Sequence, residues 1–109
     1  MSALIALLVA VGGLHGVVMR GPTTPVCQVS KPCSEPAVGA VLTFSRDGAV
    51  ATRVRTGAGG WYWARLRPGV YTVQLSPAPT IGSGVQPGQV TVRDGVSARV
   101  DFQIDTGIR

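Results

Sequence analysis

The chain has 109 residues, room for one domain with a core of moderate depth and none for a separate catalytic domain. Its 15 glycines and 8 prolines sit with 45% hydrophobic and only 14% charged residues, which excludes a disordered polar chain and fits many short strands joined by turns. The formal net charge of +5, carried almost wholly by arginine, suits acidic partners, but no nucleic-acid-binding module or dense basic stripe accompanies it, so nucleic acid is not expected as a partner.

The N-terminus is apolar from Ala3 to Val11 and ends at the small pair Gly12 and Gly13, like the hydrophobic region of a short signal peptide, although no Lys or Arg precedes it. Three readings stay open: a weak signal peptide, a start placed inside a longer one, or an uncleaved anchor. The first is preferred, because a spanning helix needs about 20 apolar residues. Residues 1–13 are thus expected to be a signal peptide or short anchor and residues 14–109 the domain, with membrane contact only through an uncleaved N-terminal segment.

The first strand is expected at Leu14 to Met19. A loop from Gly21 to Gly39 follows and holds Cys27 and Cys33, close enough in an exported chain to suggest a structural disulfide. Two cysteines and one histidine are too few for a structural zinc site, and no cofactor is expected.

Ala40 to Ser45 reads as a strand with Ala40, Leu42 and Phe44 inward, turning at Asp47-Gly48 into Val50 to Arg55. Thr56 to Val73 then packs a glycine turn, a strand, a Pro68-Gly69 turn and another strand into one run. Alternation places Tyr62, Ala64 and Leu66 on one face and Trp61, Trp63 and Arg65 on the other. Val70 to Leu75 points Tyr71, Val73 and Leu75 inward. Ser76 to Gln89 reads as a loop, Val90 to Val92 as a strand, and Asp94-Gly95 as a turn into one last strand, Val96 to Ile104. One apolar and one polar face per strand is what an antiparallel sandwich requires.

On Thr56, Gly60, Tyr62, Leu66, Pro68, Gly69, Tyr71 and Val73 the central run resembles the carboxypeptidase regulatory-like domain, with Gly57 standing where that family usually has Asp. Pro36 to Ala40 is similar to the family's approach to its second strand, and both ends of the domain are similar to small exported bacterial proteins built on it. The resemblance runs from about Leu14 to the end. It implies an all-β, seven-stranded antiparallel prealbumin-like β-sandwich that serves as a binding, stabilising or spacer module.

The candidate binding residues are Trp61, Trp63, Arg53, Arg55 and Arg65. A symmetric hairpin about Thr56 to Gly60 would set Arg55 opposite Trp61, Arg53 opposite Trp63 and Ala51 opposite Arg65. Such a platform suits a sugar ring or an acidic partner; alternatively, the arginine stems simply cover the indoles.

Catalysis has little to work with. His15 has no Ser or Cys nucleophile fixed beside it in sequence, and Asp101 and Asp105 lie about 13 Å apart along a strand, too far for paired-carboxylate chemistry. The Tyr-Arg-Gly-Ser ending of the hydroxyisourate hydrolases that share the sandwich is missing. An isopeptide lock of the collagen-adhesin type is unpromising, since Lys31 is the sole lysine and there is no asparagine. The expectation is a secreted or envelope-bound, non-enzymatic module that contacts a protein or an acidic or glycan envelope component, or serves as a structural unit. The alternative is a carbohydrate-binding module using the Trp/Arg platform.

Overall fold

A computed structural model describes residues 12–27, 33–76 and 84–107. The apolar segment expected to be a leader lies outside the described residues up to Val11, as do Lys31 and residues 77–83 of the long Pro/Gly loop.

The architecture is organised by one long strand, β1 (Gly12–Gly21), which begins two residues earlier than expected and changes partners halfway along. Its first half pairs antiparallel with β5 (Trp61–Leu66), from Gly12 opposite Leu66 to Val17 opposite Trp61. On its other side it pairs parallel with β9 (Ser97–Arg99). Its second half pairs antiparallel with β2 (Glu35–Pro36) and parallel with β10 (Phe102–Asp105). β10 in turn carries β7 (Gly84–Gln86) antiparallel. The second sheet is wholly antiparallel, in the order β4 (Ala49–Arg55), β3 (Val41–Arg46), β6 (Gly69–Leu75), β8 (Gln89–Val92). Among the described residues the only helical piece is the 3₁₀ turn Ala58–Gly60.

The chain is therefore an all-β sandwich of two sheets, and local sequence explains much of it. β3 and β4 meet at Asp47 (φ 53°) and Gly48 (φ 79°), the paired positive angles of a two-residue hairpin turn whose twist suits the strands. Leu42, Phe44, Tyr62, Ala64, Leu66, Tyr71 and Val73 are buried as alternation demands. Phe44, Tyr62 and Phe102 bring the two sheets together, with ring centroids 5.4 to 6.4 Å apart. The Tyr62 hydroxyl donates to the Val100 carbonyl at 2.5 Å, and that of Tyr71 to the Arg67 carbonyl at 2.6 Å. Burial, with the Asp101 charge nearby, holds the Tyr62 phenol above its ordinary range.

Three details of pairing differ from expectation. Val96 to Ile104 is not one strand: the ladder breaks at Val100 and Asp101, and β9 and β10 pair with different halves of β1. Gly16 sits at that break, where a side chain would collide with the Val100 carbonyl and the Asp101 carboxylate. The Val17 amide donates to Asp101 Oδ1 at 2.9 Å and the Val100 amide to the His15 carbonyl at 2.9 Å, so the side chain of Asp101 replaces a ladder partner. β7 lies within the stretch read as a loop, because its three residues gain strand character only by pairing with β10. β2, likewise, is a two-residue addition to β1.

The third difference concerns Thr56 to Gly60. This is not a hairpin turn but a crossover from one sheet to the other, since β4 pairs with β3 while β5 pairs with β1. Buried Thr56 anchors it: Oγ1 donates to the Ala37 carbonyl and accepts from the Ala40 amide at 2.9 Å. The Thr56 amide and carbonyl also bond Ala40 and Gly39, at 2.8 and 2.9 Å. Gly60, with φ 79°, then turns the chain into β5 against the Val18 carbonyl, where no side chain fits.

Candidate functional site

The crossover decides which residues share the outer face of β5. Trp61 lies opposite Val17, Trp63 opposite His15 and Arg65 opposite Gly13. The expected pairs of Arg55 with Trp61, Arg53 with Trp63 and Ala51 with Arg65 do not form. Arg53 and Arg55 instead lie opposite Thr43 and Val41 in the other sheet, and Arg55 Nη1 donates to the Gly39 carbonyl at 3.1 Å. Of the five candidate binding residues, Trp61, Trp63 and Arg65 stay together on one exposed face, and the two β4 arginines leave it.

Their place beside the indoles is taken by residues from β1 and β9. Arg99 sets its guanidinium 5.2 Å from the Trp61 ring centroid. Asp101 holds that guanidinium in place, accepting from Nε at 3.1 Å and Nη2 at 3.3 Å. The Arg99 hydrogen bonds, and then the Val17 amide, hold the Asp101 carboxyl below its ordinary value. Trp63 is stacked on His15, with centroids 5.4 Å apart and planes inclined by 24°. His15 Nδ1 lies 3.2 Å from Ser97 Oγ, which sets the imidazole edge toward β9. The arginine that lies over Trp61 is therefore Arg99, and not one of the three expected there, Arg53, Arg55 and Arg65.

The two tryptophans consequently differ in what they can offer. Trp61 is 50% exposed and already has a cation on its ring; Trp63 is 66% exposed and has a neighbour on one flank. Beside Trp63 lies a shallow hollow of about 190 Å³, lined by Gly12, Gly13, Trp63, Arg65, Gly95, Val96 and Ser97. Its glycine floor is enforced by packing. A Cβ on Gly12 would come within 2.6 Å of the Arg93 carbonyl oxygen, and one on Gly13 within 2.8 Å of that of Ala64. An indole, bare glycine backbone, Ser97 and Arg65 thus border one open hollow.

His15, Arg99, Asp101 and Ser97 were missed as site residues. Their signal was the polar parity of Ser97, Arg99 and Asp101, and it needed the parallel pairing with β1 to become a site. Cys27 and Cys33 do form a disulfide, with Cα atoms 5.4 Å apart. Among the described residues no group of three or more His, Cys, Asp or Glu side chains could hold a metal ion, and no helix is long and apolar enough to cross a membrane.

Comparison of the sequence with protein-family models and with curated proteins finds no match. Among solved structures the chain is similar to a minor pilin of the Gram-positive pathogen Streptococcus agalactiae, with a TM-score of 0.52 and 17% identity. The likeness covers 88% of this chain and 44% of the pilin chain, so this protein spans less than half the length of that one. At this identity the likeness shows the fold, a β-sandwich.

Proposed function

We propose that this chain is a non-enzymatic β-sandwich module that works at the cell envelope, outside the cytoplasm, as a protein-binding or structural unit. The observation that carries this reading is the sandwich itself, which over 88% of the chain resembles that of a minor pilin. Two further features support it. The Cys27–Cys33 disulfide suits an oxidising compartment. The positions that resemble the carboxypeptidase regulatory-like domain, Thr56, Gly60, Tyr62 and Tyr71 among them, are spent on joining and filling the two sheets, as in a module whose task is to be rigid. The apolar N-terminal segment acts in this reading as the export signal. Cell fractionation tests it, together with mass spectrometry of the mature N-terminus and alkylation of free thiols. The reading fails if the chain stays in the cytoplasm with an intact N-terminus and two reduced cysteines.

A second reading, carbohydrate binding, is favoured by Trp63, the more exposed indole, standing beside the glycine-floored hollow. Polysaccharide pull-down with the native chain and the Trp61→Ala/Trp63→Ala double variant decides it. No retention of the native chain, or equal retention of both, removes this face as a glycan site.

A further inference from the structure

We propose that the stretch from Trp63 in β5 to Arg67 in the following turn, together with Arg46, is a binding site for an acidic polysaccharide. The inference rests on the carbohydrate reading of this face; it adds the sign of the ligand's charge and the residues that select it.

Arg65 belongs to two hollows at once. On one side is the trough walled by Trp63. On the other is a larger hollow of about 350 Å³, lined by Arg46, Ala51, Arg65, Leu66, Arg67 and Tyr71. Three guanidinium-bearing residues thus converge from the end of β3, from β5 and from the turn after β5. Ala51, small and outward on the neighbouring edge strand, leaves the hollow open.

Arg46 is held by its side chain and Arg67 through its backbone. Arg46 Nη1 donates to the Pro68 carbonyl at 2.9 Å, and its guanidinium lies on Gly69, where a Cβ would come within 2.8 Å of Nη1 and 2.9 Å of Cζ. Glycine at position 69 is therefore what lets Arg46 lie across the turn. The turn carrying Arg67 is tied down by the Tyr71 hydroxyl on the Arg67 carbonyl. Compensating charge is sparse. Arg46 has Asp47 at 3.8 Å, with that carboxylate 93% exposed, and among the described residues Arg65 and Arg67 form no ion pair. Three like charges about one hollow repel each other, and an anion placed among them relieves that repulsion.

The pattern along the strand argues for a polymer. Trp63 and Arg65 are alternate residues of β5, about 6.6 Å apart, and Arg67 follows in the turn beyond its end, so a ligand that reaches all three must extend over several units. Trp63 offers a face for the apolar side of a sugar ring, and guanidinium groups pair in two-pronged fashion with carboxylate, sulfate or phosphate substituents. Single-stranded nucleic acid offers similar chemistry, but the disulfide favours an oxidising compartment, where polysaccharide is the polyanion to be met.

The test is equilibrium binding of the full chain to polygalacturonate, dextran and single-stranded DNA, at low and high salt. Polygalacturonate is expected to bind, to weaken with salt, and to lose at least about tenfold in affinity in Trp63→Ala and in the Arg46→Gln/Arg67→Gln double variant. Arg55→Gln, which removes charge from the other end of β4, is expected to bind within about twofold of native, and unchanged thermal melts of the exposed arginine variants keep folding out of the comparison. Dextran binding as tightly as polygalacturonate would overturn the acidic preference and leave the carbohydrate reading standing. Failure to bind either polysaccharide would overturn both, tighter binding of DNA would replace the ligand class, and an equal loss in Arg55→Gln would show diffuse attraction in place of a site.

Discussion

The Thr56 side chain accepts a hydrogen bond from the Ala40 amide at 2.9 Å, so the crossover between the two sheets is tied to the segment leading into β3. Its hydroxyl also donates to the Ala37 carbonyl. Thr56→Val keeps the shape and removes both bonds, leaving an amide and a carbonyl without their side-chain partner. A loss of about 1 to 3 kcal/mol is expected in urea denaturation. Thr56→Ser, which retains the hydroxyl, should recover most of it. If Thr56→Val is as stable as the native chain, the crossover is not held by this residue.

Tyr71 joins the core to the turn that carries Arg67. Its ring is buried, so Tyr71→Ala should destabilise the chain by about 3 to 5 kcal/mol. Tyr71→Phe keeps the ring and loses only the bond to the Arg67 carbonyl, and about 0.5 to 1.5 kcal/mol is expected. Thermal melts of the two variants separate the packing contribution from the hydrogen bond. Equal shifts would mean that the ring is not the dominant part.

What could be read from the sequence was set by neighbours a few residues apart. Alternation sorted Tyr62, Ala64 and Leu66 from Trp61, Trp63 and Arg65, and turn chemistry located Asp47-Gly48. The sandwich and the disulfide were legible for the same reason. The partners of β5 were not. A symmetric hairpin and a crossover both need a glycine-rich link after Thr56, and the choice between them rests on the bonds of Thr56 to Ala37 and Ala40, 19 and 16 residues earlier. Loss of Arg53 and Arg55 from the platform follows from that single step. The gain of His15 and Ser97, 82 residues apart, depends on parallel pairing between the first strand and a late one, which no local pattern announces.

Asp101 makes stability depend on acidity. Its carboxyl titrates below its ordinary value of 3.8 in the folded chain, first because Arg99 donates to it and then because the Val17 amide does. A depressed folded value means that the unfolded chain takes up the proton more readily. The stabilisation is therefore complete above the unfolded value and disappears as pH falls through the folded one. Since the group is exposed, the effect should be small. Urea midpoints between about pH 6 and pH 2 should fall less steeply in Asp101→Asn than in the native chain. Parallel curves would show that this carboxylate makes no linked contribution.

The disulfide joins Cys27 to Cys33, residues separated by 6 positions. On the chain-entropy account a closed loop this short restrains the unfolded chain by roughly 2 to 2.5 kcal/mol. Replacing both cysteines by serine should lower the denaturation free energy by about that amount, whereas the β5 face, built on β1 and β9, should keep its geometry. The check is a urea titration of Cys27→Ser/Cys33→Ser alongside the native chain, with tryptophan fluorescence as the second readout. A stability loss with an unchanged native emission maximum would fit a restraint confined to the loop. A shifted maximum in the folded baseline would show instead that the loop supports Trp61 and Trp63.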